Sequence, residues 1–448
     1  MSNAPLIRLY GPEEALAWDA DGPRSAAEFL SDVADLADVL PDQPFVLNLL
    51  SSRYQFLVGF SAAMVRGQVT LLPQSRAPLT LRRIVDEHGD CYGITDRDEP
   101  LEGLPCVMFP SRQNRSRRSL PVPQIPLHQQ VAVAFTSGST GQPTPNRKTW
   151  GALVSVARAT GSRFDLKPGG RTAVVATVPH QHMFGLEASV MLPIQHGLTM
   201  HAGRPLFPED VRTAIEQVGR SILITTPLHL RACMTAGVKL PHIEMILSAT
   251  SPLTRELARE VEERFHAPVN EIFGFAEAGS VASRRPVLTD QWQVLDGVTL
   301  SGEDPLWSVE AEYLPRPVRV PDRIVLTEPG QFRVLGRAED QINIAGHRAS
   351  LDDLTKKLLD VEGVEDGAFF LPDHDQAPLT RLIAVVVAPG KTHEDIRRAL
   401  RWSIDPVFLP RPLLLVPSLP RNDTGKLPRE ALRRLIEQYS AQEPQDDR

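Results

Sequence analysis

Along the first hundred residues the apolar positions switch between two periods. Residues 25–39 space Ala, Phe, Leu and Val as a helix face does, and residues 54–67 return to that period. Between them 44–50 (PFVLNLL) is a short continuous apolar run of the kind a buried strand shows. Residues 101–130 are rich in Pro, Ser and Arg and read as a connector. The apolar run VAVAF follows and opens into a Gly/Ser/Thr-rich loop, and two later runs, 171–178 and 221–226, read as buried strands. In 251–265 (SPLTRELAREVEERF), Ser251 and Pro252 suit a helix cap and first turn. Leu253, Leu257, Val261 and Phe265 then recur every four residues as one apolar face. Strands alternating with amphipathic helices predict α/β layers.

Beyond about Gly336 the pattern changes. A polar turn region leads to a helix at 351–359, strands at 367–372 (GAFFLP) and 382–388 (LIAVVVA), and an amphipathic helix at 428–439 carrying Leu432, Leu435, Ile436 and Tyr439. These elements suffice for a small α+β domain at 338–448 after a large multilayer α/β domain at 1–337. A chain of 448 residues exceeds the size at which one hydrophobic core stops growing, so two domains are expected on size as well. Residues 441–448 are too polar to pack, and no internal repeat is visible.

Composition narrows the function classes. Apolar residues make up 42% and charged residues 23%, an ordinary globular balance. The net charge of −7 offers no basic field for nucleic acid. One basic cluster, residues 112–118 (RQNRSRR), reads either as a solvated loop or as a landing patch for an acidic partner protein. Cys91, Cys106 and Cys233 form no C-x-x-C pair, so neither a disulfide framework nor a zinc site is indicated, and a reduced cytoplasmic setting fits. The N-terminus does not read as a secretory signal, and no apolar run approaches the length needed to span a bilayer, so a soluble protein is expected.

The strongest local signal is FTSGSTGQPTPNRK, residues 135–148. Gly138 and Gly141 let backbone N–H groups converge, while Thr136, Ser137, Ser139 and Thr140 add hydroxyl donors, an arrangement suited to polyphosphate oxygens. It is not a Walker A loop, because no Gly-Lys-Ser/Thr follows. On its own such a loop is as readily a plain connector.

The loop resembles the phosphate loop of the adenylate-forming superfamily, and four further segments resemble that family in order. They are VPHQHMFGLE around His182, EIFGFAEAGS around Glu277, GRAEDQINIAGHR from Gly336 and LPRNDTGKLPR ending at Arg429. The resemblance runs over about residues 45–435, and it is nearest to compact stand-alone acyl or aryl ligases of aryl polyene and xanthomonadin-type pigment pathways.

The resemblance implies roles residue by residue. Glu277 would help hold the magnesium of MgATP, which suits a hard cation that takes one or two carboxylates beside phosphate oxygens; the bland alternative is a surface Glu. Phe273 would pack beside adenine. Asp322, fifteen residues before Arg337, would bind the ribose with it, or the two are an unrelated surface pair. Lys426 would bridge the substrate carboxylate and the α-phosphate, where an ordinary Lys is a solvated charge. His182 would border the acyl pocket and thiol channel; a pocket-wall or core histidine, or a metal ligand with His180, are the other readings. Met183, Phe184, Ala249, Thr250, Gly274 and Ala276 would line the acid pocket, with Met183 where amino-acid-activating relatives carry an Asp. A thioether cannot pair an ammonium, so the acid is expected to lack an α-amino group. Glu339 would be the hinge, and Gly346 would let a pantetheine arm pass.

Two departures stand out: the Thr of the Glu277 signature is Ala276, and the Lys after the phosphate-loop Pro is Thr144, with Arg147 and Lys148 slightly later. The implied activity is ATP- and Mg²⁺-dependent activation of a carboxylic acid, then transfer to coenzyme A or to the phosphopantetheine of an acyl carrier protein. The rival reading is a non-catalytic nucleotide-binding relative, motivated by Ala276 and Thr144. An esterase is set aside because no G-x-S-x-G elbow is present.

Overall fold

The computed structural model describes the chain apart from residues 1, 74–77, 98–102, 111–119, 138–142, 168–171, 338–340, 345–346, 373–381, 423–424 and 441–448. The basic cluster at 112–118 and the polar end at 441–448 lie outside the described residues.

The expected α/β layers are present. A six-stranded sheet runs in the order Pro143–Thr149, Gln130–Ser137, Val69–Leu72, Phe45–Asn48, Cys91–Thr95 and Cys106–Met108, parallel except for the hairpin formed by its first two strands. An eleven-stranded sheet has a parallel centre in the order Val269–Phe275, Ile243–Ser248, Ser221–Thr225, Ala173–Ala176 and Thr199–His201, with antiparallel strands at both margins. Parallel neighbours need helical crossovers, which is the alternation read from the apolar periods.

Local chemistry sets the helix starts. Ser25 caps Ala26–Ala37 in a capping box: its Oγ accepts from the Glu28 N–H at 3.2 Å, and its own N–H donates to the Glu28 carboxylate at 3.0 Å. The helix Arg53–Val65 is buried on nearly all sides. Arg53 at its start is 1% exposed and gives its N–H groups to Ser189 Oγ and the carbonyls of Ala176, Val178, His201 and Gly203. Burial and the nearby Arg204 push its pKa down to about 9, yet five acceptors satisfy its fork.

Two readings of the pattern need correction. The helix expected from Ser251 begins at Arg255 and is capped by Thr254, whose Oγ1 accepts from the Leu257 N–H at 3.2 Å. The Leu253 N–H donates instead to the buried Glu271 carboxylate at 2.9 Å, which holds the preceding residues outside the helix. Leu253 still buries its side chain with Leu257, Val261 and Phe265. The connector holds two short strands: Cys106–Met108 extends the six-stranded sheet, and Gln124–Pro126 pairs with Asn3–Pro5.

In the tail, Leu351–Leu359 is a helix as the pattern predicts. A three-stranded sheet, Asp366–Phe370, Ile383–Val387 and Leu413–Leu415, separates two apolar clusters. One contains Leu354, Leu358, Ile396 and Leu400, the other Phe370, Val385, Leu432 and Ile436. The fold is thus a large α/β body followed by a smaller α+β unit.

Candidate active site

In parallel α/β sheets, ligands bind at the carboxyl ends of the strands. Here neighbouring strands of the eleven-stranded sheet end where the sequence places its candidates. After Ala173–Ala176 come His180, His182, Met183 and Phe184; after Ser221–Thr225 comes Thr226; after Ile243–Ser248 come Ala249 and Thr250; and Phe273 and Gly274 lie in the last residues of Val269–Phe275, with Ala276 and Glu277 directly after it.

His182 is the N-cap of Met183–Leu186, a short helix that continues through a π-helical segment, Glu187–Met191, into Leu192–His196. π segments inside helices are frequent at functional sites. Met183 and Phe184 are half-buried, each packing against a different core cluster. The two histidines divide their roles. His180 is 3% exposed, packs on Phe56 at 4.5 Å and has Nε2 within 3.2 Å of the Leu50 carbonyl, whereas His182 is half-buried. No group of three or more His, Cys, Asp or Glu side chains able to hold a metal occurs among the described residues.

Thr250 has φ +80, a left-handed backbone that a β-branched residue adopts only under constraint. Such strain gathers at ligand sites. Gly274 is required for a different reason: a Cβ there would stand 2.5 Å from the Gly279 carbonyl oxygen. Phe273 packs its ring against Trp292 at 5.5 Å and Phe332 at 5.4 Å, which leaves it half-buried at the strand end.

Glu277 is exposed, and among the described residues its carboxylate accepts no hydrogen bond. Its backbone carbonyl does: Lys148 Nζ, from the hairpin strand Pro143–Thr149 of the other sheet, donates to it at 3.0 Å. Lys148 and Glu187 are each 5% exposed. Burial pushes the Lys148 ammonium down and the Glu187 carboxyl up, and each charge opposes the shift of the other. Sequence reading noticed Lys148 only as a displaced phosphate-loop lysine and did not single out Glu187. The available signal was its place one helical turn beyond Met183.

Asp322 and Arg337 are direct cross-strand partners in the hairpin Asp322–Glu328/Gln331–Arg337, so their spacing is that of a paired register. Thr136 and Ser137 end the strand Gln130–Ser137, paired with Thr144 and Pro143. Gly138, Ser139, Thr140, Gly141, Glu339 and Gly346 lie outside the described residues.

Lys426 is exposed on a tight turn: its N–H donates to Asn422 Oδ1 at 2.9 Å, and the Gly425 N–H donates to the Asn422 carbonyl at 2.8 Å. Gly425, at φ +77, is buried against the body, where a Cβ would lie 3.6 Å from Thr226 Oγ1 and from Leu228. The small unit thereby carries Lys426 to the carboxyl edge of the large sheet. Thr226, unnoticed in the sequence, caps Pro227–Thr235 and lies 2.9 Å from His229 Nδ1. Burial, with Arg204 nearby, pushes His229 down to about 4, so this imidazole is neutral at physiological pH. Arg421 braces the turn through a 2.9 Å bond to the Gly425 carbonyl and a fork on Asp366 at 2.7 and 2.6 Å.

This donor set fits a metal–nucleotide complex: an exposed carboxylate for a hard cation, an exposed ammonium on a tight turn, and an Asp–Arg register across a hairpin.

The comparisons with known proteins agree with that chemistry. A profile of the AMP-binding enzyme family matches residues 46–310. The chain belongs to the AMP-binding enzyme family. It is 25% identical over 366 residues to acetyl-coenzyme A synthetase of Gemmatimonas aurantiaca, covering 68% of this chain but only 55% of that protein. It is 27% identical over 306 residues to 4-coumarate–CoA ligase of Halorhodospira halophila, covering 65% of this chain and 73% of that one. In fold it is similar to o-succinylbenzoate CoA synthetase of Bacillus subtilis in complex with its acyl-adenylate intermediate, with a TM-score of 0.82, 16% identity, and 97% and 99% of the two chains covered. The chain therefore spans about half the length of the acetyl-coenzyme A synthetase it matches. No described helix is long and apolar enough to cross a membrane.

Proposed function

We propose that the protein is an AMP-forming acid–thiol ligase. The observation that carries this reading is the approach of the Lys426 turn, at Gly425, to Thr226 and Leu228 at the carboxyl edge of the sheet whose neighbouring strands lead into His182, Thr250 and Glu277. A carboxylate oxygen attacks the α-phosphorus of ATP, the bond to the bridging oxygen breaks, and pyrophosphate leaves with the electron pair. A thiol sulfur then attacks the acyl carbon, AMP leaves, and the thiol proton passes to solvent. Lys426 stabilises charge passing between carboxylate and phosphate, Asp322 and Arg337 hold the nucleotide, and Glu277 would hold magnesium, which when bound would neutralise phosphate charge. The names of the acetyl-coenzyme A and 4-coumarate relatives support the substrate class. Met183 offers no partner for an α-amino group, so the acid is an acyl or aryl acid without one.

Within that reading we place the boundary of the small domain at 337/338, with Glu339 as hinge and Gly346 on the thiol path. The phosphates rest on residues 136–141. The acceptor is coenzyme A or an acyl carrier protein, and the resemblance to pigment-pathway ligases favours aryl and polyene acids. The test is pyrophosphate release from MgATP across aryl, polyene and aliphatic acids, by wild type and Lys426→Ala. Release that follows one acid class and collapses in the variant is expected. Nucleotide binding with no release on any acid would sink the ligase reading.

A further inference from the structure

Three side chains from three different elements, Lys148, Tyr313 and Glu187, contact the segment Glu277–Ser280 along its length. Lys148 Nζ donates to the Glu277 carbonyl at 3.0 Å. Tyr313 Oη donates to the Ala278 carbonyl at 3.3 Å. Gly279, at φ +83, comes so close to Glu187 that a Cβ would stand 2.6 Å from Oε1. The Ser280 N–H and Oγ both donate to Glu187 Oε2, at 3.0 and 2.7 Å. The hairpin closes on itself through the Ala278 N–H on the Phe275 carbonyl and the pairing of Gly279 and Ser280 with Phe275 and Gly274, and these outside contacts tie it to the rest of the body.

A buried ammonium and a buried carboxylate are an expensive way to build a core. An apolar pair of similar volume serves stability equally well or better. What an apolar pair cannot do is bind the main chain of the turn at defined atoms. A magnesium ligand must be held to within a fraction of an ångström, and groups that orient such ligands affect metal affinity strongly.

We propose that Lys148 and Glu187 are positioning residues that lock the Glu277–Ser280 turn so that the Glu277 carboxylate stands ready for the magnesium of MgATP. The role rests on the assignment of Glu277 made above. It explains why the displaced lysine of the phosphate-loop strand is buried here: Lys148 acts through the main chain of the metal-binding residue. Glu187 fixes the same turn from the acid-pocket helix. The turn is thereby tied to both sheets at once.

The test is calorimetric titration of the full chain with ATP, in magnesium and again in EDTA, which needs no knowledge of the acid. Lys148→Met alone strands a buried carboxylate and is open to misfolding, so the informative variant is the doubly neutral Lys148→Met/Glu187→Gln. Its Gln carbonyl can still accept from Ser280. The expected result is a wild-type thermal midpoint, unchanged affinity for metal-free ATP, and a loss of about tenfold or more in the affinity gained from magnesium. Adding the pair to Glu277→Gln should cost nothing further, because both routes end at the same carboxylate. A double variant with the full magnesium gain, or losses that add to Glu277→Gln, would overturn the positioning role alone. Full magnesium dependence in Glu277→Gln itself would overturn the Glu277 assignment and this role together.

Discussion

Two turns carry the charges proposed for adenylation, and they are built in opposite ways. The Glu277 turn is rooted in the body: its main chain is bound by buried groups from the hairpin of one sheet, the π segment and the loop holding Tyr313. The Lys426 turn is braced within its own small unit, by Asn422 and by the Arg421–Asp366 fork, and it approaches the body at buried Gly425 beside Thr226 and Leu228. A metal-binding carboxylate gains from immobility, because every displacement weakens coordination. A lysine needed for one half-reaction gains from a mounting that can be withdrawn as a unit. We propose that the contrast is a division between a fixed charge and a removable one.

The largest expected effect comes from deleting the removable charge. Lys426→Ala should lower acid-dependent pyrophosphate release by about 10²–10³-fold, while transfer from a supplied acyl-adenylate to a thiol stays near wild type. Equal loss in both half-reactions, measured separately by rapid quench, would erase the distinction. Next in size, Asp366→Ala leaves Arg421 half-buried and without its fork. It should destabilise the small unit by about 2–3 kcal/mol, visible as faster amide exchange across residues 351–440 and little change in the body. Exchange rising equally in both would show the two parts to be one cooperative block.

The fixed side can be tested by crowding it. Gly274→Ala drives a methyl against the Gly279 carbonyl and should cost about 1–3 kcal/mol, read as a lower melting temperature together with weaker magnesium dependence. A pH series probes the seam between the two regions. His229 is held near pKa 4 in the folded chain and titrates near 6.5 when unfolded. The unfolded chain thus binds the extra proton first, and stability must fall as pH drops from about 6.5 to 4, by at most about 1.4 kcal/mol per unit. His229→Gln should flatten that part of the stability curve; an unchanged slope would place the titration elsewhere. The smallest effect is expected at Thr250, where Thr250→Gly relieves a left-handed β-branched residue and should stabilise by about 1 kcal/mol while loosening discrimination among acids. A loss of stability would mean that the Thr250 side chain offsets its own strain.

Legibility in the sequence followed the range of the forces involved. Helices and strands with strong periods were readable because burial selects one face at a time, as at Leu351–Leu359 and Ser221–Thr225. The fifteen-residue interval from Asp322 to Arg337 is that of cross-strand partners in a hairpin, which the apolar pattern did not reveal. The start of the helix at Arg255 was misread because a carboxylate eighteen residues away, Glu271, takes the Leu253 N–H. The strand Cys106–Met108 was missed because an edge strand of three residues has no period to show.

The sequence by itself determined the layered α/β class and the order of the main elements, since these depend on residue type and local spacing, while Glu277, Asp322, Arg337 and Lys426 are candidates through the resemblance of their segments to the family. Only the tertiary structure decided which of those charges are anchored and which are carried. Lys148 meets Glu277 across 129 residues, and Glu187 meets Ser280 across 93. Such contacts arise where two sheets and a helix close on one turn, and no local pattern encodes that closure.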